Sequence, residues 1–337
     1  VPAADGIAAT VRIEPEKFSW HDAPWNTLTR DLTRLPHALL LHGQPGLGKN
    51  EFALRLAQFL LCQKPLSEKQ ACGVCKSCEL FRSGSHPDLL RIEPLEDSKN
   101  ILVDQVRAVI EFVSLKPHTA VHRVVLITPA EAMNVNAANS LLKVLEEPPA
   151  GCVLILVAAH LSRVSVTIRS RCRRVAFSAP PLPEALEWLT AKTRPDAAEV
   201  LLGLAGGAPL AALTFAGDGY AERHTQLLED LAALVGGGTD PVTHAERWKM
   251  LGPEDCLEWL HRFLTNSIRQ NISVPSQQRL TCQLLKNGKS FSISIIDLFN
   301  FIDKVSIVKR QIGTGVDETL ALEELLIRWC EMTSIAA

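Results

Sequence analysis

Short apolar runs alternate with amphipathic stretches through the first half of the chain. Apolar and β-branched residues concentrate in Ala38–His42, Asp88–Ile92, Val124–Thr128, Val153–Ala159 and Arg174–Phe177. The third and fourth runs are apolar at nearly every position, the pattern of strands covered on both faces. Between the runs the period changes. Val106, Val109, Ile110 and Val113 fall at i, i+3, i+4 and i+7, and so do Ala138, Leu141, Leu142 and Leu145, which places each set on one helical face. Strand and helix in alternation predict an α/β domain, with a parallel sheet and helices on both faces. The proline-rich stretch Ala179–Pro183 ends the alternation, and the remainder reads as helix. A short helical segment runs from Glu184 to about Phe215, with Gly206-Gly207-Ala208-Pro209 inside it, and Gly217-Asp218-Gly219 marks a further boundary. Long helical patterns follow, including Leu322, Leu325, Leu326 and Trp329. Three domains are predicted, over residues 1–178, 179–217 and 218–337.

Composition narrows the class. The chain has 337 residues, 21% charged and 47% hydrophobic, enough apolar content to exclude disorder as its main state. It has no apolar run of roughly 18 residues, and Val1–Val11 lacks the basic and apolar regions of a signal peptide. The expectation is a cytoplasmic protein with no membrane partner. Lys plus Arg number 35 against 37 Asp plus Glu, so no global field draws the chain to nucleic acid, and contact of that kind needs a local patch. Nine cysteines in a chain of this type point to a metal or to structural thiols rather than a disulfide framework.

The first chemical signal is Gly43-Gln44-Pro45-Gly46-Leu47-Gly48-Lys49-Asn50, placed between a predicted strand and a predicted helix. A phosphate-binding loop needs glycines that let backbone N–H groups curl around oxygens, a lysine for the outer phosphates, and the positive end of a helix. Gly43, Gly46, Gly48 and Lys49 meet these needs. Position 50 does not, because the pattern asks for Ser or Thr to hold magnesium and Asn is a poorer ligand. Two readings stay open on the loop alone: a degenerate nucleotide cradle, or a glycine-rich turn with no ligand.

Hydrolysis also needs an acidic residue at the end of an apolar strand to hold the metal through water. The strand Val124-Val125-Leu126-Ile127 instead runs into Thr128-Pro129. Glu131 comes three residues later and is read as the start of the next helix. Two parts of an ATPase site are thus degraded in one chain.

The cysteines carry the second signal. Cys72, Cys75 and Cys78 are spaced Cys-x2-Cys-x2-Cys, and Cys62 precedes them by ten residues. Four thiolates complete a tetrahedral structural zinc site. Similar spacings occur in iron–sulfur proteins and redox motifs, but Cys62 completes a zinc set and no Cys-Pro follows at cluster spacing. His86 is the nearest alternative ligand and reads as a residue leading into a strand. Cys152, Cys172, Cys256, Cys282 and Cys330 lie in apolar or helical contexts and read as small core residues.

Charge is the third signal. No acidic residue occurs between Glu147 and Glu184, while Arg163, Arg169, Arg171, Arg173 and Arg174 crowd together. Taken alone, such a cluster reads as a solvated face.

The string Asn134-Val135-Asn136-Ala137-Ala138-Asn139-Ser140-Leu141-Leu142-Lys143-Val144-Leu145-Glu146-Glu147-Pro148-Pro149, followed by an apolar strand and Ile168-Arg169-Ser170-Arg171-Cys172, resembles the clamp-loader branch of the AAA+ family in bacterial DNA polymerase III. The resemblance covers the first two predicted domains well and the third in general pattern. It implies an AAA+ P-loop domain, a small helical lid and an all-helical collar through which subunits assemble. It also implies that Arg171 is an arginine finger acting in trans on a neighbouring subunit's ATP, a role the permanently charged, two-pronged guanidinium suits. The cysteine set is implied to hold zinc. Active members carry an Arg in a Gly-Ser-x-Arg lid pattern, where this chain reads Gly207-Ala208-Pro209-Leu210. The implied partners are the delta subunit, the ATP-hydrolysing gamma or tau subunits and, through them, the sliding clamp and primed DNA; the isolated chain is expected to be a monomer. Asn50, Thr128, Pro129 and Leu210 favour a non-hydrolysing scaffold over the alternative, an active clamp-loader ATPase. A free-standing zinc protein with a vestigial nucleotide fold would leave Arg171 unexplained.

Overall fold

The computed structural model describes residues 13–66, 69–96, 98–118, 120–217, 220–235, 239–272, 279–283, 290–312 and 315–334. The readings placed on Val1–Val11, on Asp218 and Gly219, and on the side chain of Cys282 lie outside what it describes. The chain forms two compact units, divided between Glu184 and Ala185.

Each apolar run of the first unit forms a strand, displaced by at most one residue at its ends: β1 (Ala38–His42), β2 (Leu89–Ile92), β3 (Arg123–Ile127), β4 (Cys152–Ala158) and β5 (Arg173–Ala176). They make one sheet of order β2-β3-β4-β1-β5, with every pairing parallel. The register places Leu39 beside Arg173 and His42 beside Ala176. β3 and β4 are buried along their whole length, which explains why they lack the alternation of a half-exposed strand.

The helices of this unit are α1 (Asp22–Thr29), α2 (Lys49–Leu61), α3 (Lys76–Arg82), α4 (Val103–Ser114), α5 (Val135–Glu146) and α6 (Val166–Arg171). Side chains of α4, α5 and α6 share one core with Ala38, Leu40, Val125, Ile127, Leu154 and Leu156. α2 packs on the opposite face, against β1, β3 and β4. Each fully buried Leu or Val contributes about 1.5–3 kcal/mol by leaving water. On α4 the predicted stripe is the buried one, with Ile110 only partly covered. On α5 the buried face is turned slightly, to Ala137, Leu141, Val144 and Leu145, leaving Ala138 and Leu142 half-buried. Val144 replaces Leu142 because the helix also rests on α4 and α6.

The second unit continues with α7, which begins just before the division (Leu182–Thr190), α8 (Pro195–Leu204), α9 (Pro209–Gly217), α10 (Tyr220–Leu234), α11 (Pro241–Leu251), α12 (Pro253–Ile272), α13 (Ile295–Gln311) and α14 (Glu318–Ser334). The helical reading of this half holds, with one addition. An antiparallel hairpin, β6 (Arg279–Gln283) and β7 (Ser290–Ser294), separates α12 from α13. Two apolar clusters form here: one from α7, α8 and α9 around Leu189, Leu201 and Phe215, and a larger one around Trp248, Trp259, Leu322, Leu325, Leu326 and Trp329. In the larger cluster each buried indole N–H finds an acceptor: Trp248 donates to Asp230 Oδ2 at 3.0 Å, Trp259 to His224 Nδ1 at 2.8 Å and Trp329 to Leu231 O at 3.1 Å. Large rings can therefore be buried there without stranding a donor. Among the described residues, no single helix is long and apolar enough to cross a membrane.

Candidate functional site

The glycine-rich loop links β1 to α2, so Lys49 opens a helix at the C-terminal edge of the sheet. Its glycines are required by space as well as by conformation. A Cβ on Gly43 would stand 2.2 Å from the Phe177 carbonyl oxygen, and one on Gly48, at φ +78°, would stand 2.7 Å from the Phe18 ring. Lys49 is buried and its Nζ donates to Gln44 O at 2.7 Å. Burial lowers its pKa to about 8, opposed by the carboxylates of Glu131 and Glu51. Burial also lowers the pKa of His42, helped by Arg174 and Lys49.

The two degraded positions meet. Thr128 Oγ1, just past the end of β3, donates to Asn50 Oδ1 at 2.9 Å. Glu131 lies in the short 3-10 turn Ala130–Ala132, ahead of α5 and not within it. Its Oε1 accepts from the backbone N–H groups of Ala159 (2.8 Å) and His160 (3.1 Å) beyond β4, a capping role that its sequence position alone did not announce.

Three aromatic residues upstream complete the loop's surroundings. Trp20 Nε1 donates to Leu47 O at 3.1 Å, and His21 Nε2 donates to the same oxygen at 2.8 Å. Phe18 stacks on Trp20 with ring centroids 4.7 Å apart. Burial lowers the His21 pKa to about 4, although its bond to Leu47 O acts the other way. No motif in the sequence ties Phe18-Ser19-Trp20-His21 to a loop some 25 positions later; the aromatic-rich run ahead of the first strand is their one sign there.

The four cysteines converge. Their sulfurs all lie within 4.8 Å of one another, with Cys62 3.6 Å from Cys72 and 3.9 Å from Cys75, and Cys72 4.0 Å from Cys78. Tetrahedral zinc with Zn–S bonds of about 2.3 Å separates its sulfurs by roughly 3.8 Å, so the donor set fits. Backbone N–H groups of Cys72 and Cys75 point at the sulfurs of Cys62 (3.3 Å) and Cys72 (3.4 Å), which offsets the charge that thiolate ligands bring. Burial opposes ionisation of Cys75, yet the N–H groups of Cys78 and Gln63 outweigh it and bring the pKa down to about 6. The module hangs from the end of α2, where Cys62 is the C-cap, and from α3, which carries Cys78. His86 is otherwise engaged: its Nε2 bonds Ser77 Oγ at 2.7 Å while its Nδ1 accepts from the Asp88 N–H at 3.0 Å. Cys152, Cys172 and Cys256 are buried and Cys330 is half-buried.

Arg171 is the last residue of α6. Its Nη2 donates to Glu146 Oε1 at 2.6 Å and its Nη1 to Thr167 O at 3.1 Å. β5 begins two residues later and runs parallel to β1. In that register Arg173 lies beside Leu39, four positions and about 13 Å of strand before Gly43, and Arg171 lies before that end of β5. Arg163, Arg173 and Arg174 are exposed. Arg169 is half-buried, and its Nε has no hydrogen-bond partner among the described residues.

The family described as "DNA polymerase III, delta subunit" matches residues 21–181, and "DNA polymerase III, delta subunit, C terminal" matches residues 218–331. The DNA polymerase III subunit delta' of Pseudomonas aeruginosa is 35% identical over 327 residues, covering 94% of this chain and 98% of that protein. The chain belongs to the DNA polymerase III delta-prime family, clamp-loader subunits with an AAA+-like fold. The Escherichia coli delta' subunit is 32% identical over 297 residues, covering 87% of this chain and 88% of its own. The tau subunit of Bacillus subtilis is 32% identical over 145 residues, 43% of this chain and 25% of that protein. Among solved structures, a DNA polymerase III gamma subunit-related protein of Thermotoga maritima aligns with a TM-score of 0.48 at 18% identity, covering 92% of this chain and 99% of that one.

The glycine-rich loop of this chain keeps its lysine, while the hydroxyl of Thr128 and the amide of Asn50 are bonded to each other. A loop of this kind can cradle an anion through backbone N–H groups, and β3 runs directly into Thr128-Pro129, neither of which carries a carboxylate.

Proposed function

We propose that the chain is the non-hydrolysing scaffold subunit of the DNA polymerase III clamp loader, completing a neighbouring subunit's ATP site with Arg171. The observation that carries this reading is the Thr128–Asn50 hydrogen bond, which engages with each other the two side chains that hold metal in an ATPase. Arg171 precedes the N-terminal end of β5, whereas the glycine-rich loop follows the C-terminal end of the parallel β1; with its exposure at the end of α6, this supports action in trans. In this reading Gly43, Gly46, Gly48, Lys49 and Asn50 form a degenerate cradle, and Cys62, Cys72, Cys75 and Cys78 hold a structural zinc that ties the insertion to α2. Residues 1–178 act as the P-loop domain, 179–217 as the lid and 218–337 as the collar. The collar joins the delta and gamma or tau subunits, and through them the chain serves the sliding clamp on primed DNA.

The test is ATP turnover by the isolated chain and then by the reconstituted loader. Turnover by the isolated chain that Lys49→Ala abolishes would overturn the scaffold reading. In the complex, Arg171→Ala lowers DNA-stimulated turnover and clamp loading, an arginine finger being worth roughly 10³–10⁵ in rate at a single GTPase site, diluted here because only one of several sites borders this subunit. Arg173→Ala, the control, costs much less. Equal losses from both, mimicked by high salt, would mean a diffuse basic patch instead of a finger.

A further inference from the structure

The Glu-Glu-Pro-Pro end of α5 stands out in the sequence, and the fold gives its first residue a partner. Glu146 closes α5 and Arg171 closes α6, and the two helices pack on each other. Glu146 Oε1 accepts from Arg171 Nη2 at 2.6 Å, while Nη1 turns back to Thr167 O at 3.1 Å and to Ser170 Oγ at 3.5 Å. Both terminal nitrogens, the pair with which a guanidinium grips phosphate oxygens, are therefore engaged within the chain. Pro148 and Pro149 prevent α5 from continuing, so the carboxylate is held at a defined helix end.

We propose that Glu146 is a positioning residue that holds Arg171 against α5 and α6, and that the phosphates of a nucleotide in the neighbouring subunit draw the guanidinium away by replacing this single carboxylate. The proposal rests on the reading of Arg171 as a finger acting in trans. The strength of the pair suits the task. The Arg171 and Glu146 side chains are 36% and 51% exposed, and an exposed ion pair shifts an equilibrium by only about 1.5- to 5-fold. That biases the free subunit toward the held orientation, yet several phosphate oxygens outcompete it. Binding of nucleotide next door is thereby coupled to a change of partner at the end of α6, where β5 begins.

Two measurements separate this proposal from the reading beneath it. In the isolated full-length chain, nitrogen-15 NMR of arginine side chains reports rotation about the Nε–Cζ bond. Arg171 is expected to rotate about 1.5- to 5-fold more slowly than it does in Glu146→Gln; equal rotation rates in the two chains overturn the proposal whatever the finger does. In the reconstituted loader, Glu146→Gln is expected to lower the ATP concentration for half-maximal DNA-stimulated turnover by about 1.5- to 5-fold with maximal turnover unchanged, and to have no effect when Arg171 is already Ala. The same shift with or without Arg171 would show that Glu146 acts through something else and would overturn the proposal. Full turnover by Arg171→Ala would instead remove the finger reading itself, and the phosphate-exchange step with it.

Discussion

Thr128 and Asn50, 78 residues apart in the chain, share a hydrogen bond of 2.9 Å at the mouth of the glycine-rich loop. Each satisfies a polar group of the other. The residue after β3 and the start of α2 are thereby joined by a neutral contact.

Thr128→Val, which removes the donor and keeps the shape, is expected to cost about 0.5–1.5 kcal/mol and to lower the melting temperature by a few degrees in calorimetry. Asn50→Thr alone is expected to leave ATP turnover at background, because Thr128 and Pro129 still provide no carboxylate. Turnover above background from that single change would show that the strand-end acid is dispensable.

Gly48→Ala tests the packing of the aromatic segment on the loop. Its φ of +78° and a Cβ 2.7 Å from the Phe18 ring together predict destabilisation of about 2–4 kcal/mol, strain and overpacking adding. Urea unfolding followed by tryptophan fluorescence measures it. A change under 0.5 kcal/mol would mean that Phe18 moves aside freely.

One zinc per chain is expected by elemental analysis, lost on Cys78→Ser and on prolonged chelation. Because the ligands must be deprotonated, zinc affinity falls as pH falls. Removal is expected to loosen residues between α2 and α3, read as new proteolytic cleavage there, while the parallel sheet stays folded. A brown preparation containing iron would rule out the zinc assignment.

Acid stability carries a defined sign. Burial lowers the pKa of both His21 and His224 from 6.5 to about 4, and His224 Nδ1 accepts the Trp259 N–H only while it is unprotonated. Above pH 6.5 both residues are neutral folded or unfolded and their contribution is complete. Between pH 6.5 and 4 the unfolded chain takes up protons first, so stability declines, and below pH 4 this decline ends. Thermal melts across that range are expected to show the loss, and His224→Asn is expected to flatten it for the second unit. An unchanged slope in that variant would place the pH dependence elsewhere.

Much of the architecture was legible in the chain because it depends on period. β3 and β4 are continuous apolar runs, and α4 keeps the i, i+3, i+4, i+7 stripe; patterns of that kind can bury themselves in only one way. The α5 stripe was misplaced by a fraction of a turn, since Leu142 and Val144 are equally apolar and only the neighbouring helices decide between them. The β6–β7 hairpin went unseen among helical patterns, because cross-strand pairing joins residues that local spacing does not compare. The four cysteines were legible because Cys72, Cys75 and Cys78 recur at a spacing of three and Cys62 lies ten residues before them, a spacing that lets four sulfurs converge.

The sequence by itself determined the order of strands and helices along the chain, the glycine-rich loop, the four-cysteine set and the neutral Thr128-Pro129 pair directly after β3, all of which follow from residue type and local spacing. The tertiary structure decided what those residues touch. It brought Thr128 to Asn50, turned Lys49 onto its own loop, laid Trp20 and His21 on Leu47, used Glu131 to cap the end of β4, and set Arg171 against Glu146. Apart from Lys49, these contacts join segments between 25 and 78 residues apart. Their existence depends on strand order and register, which a parallel fold settles only when every crossover is in place.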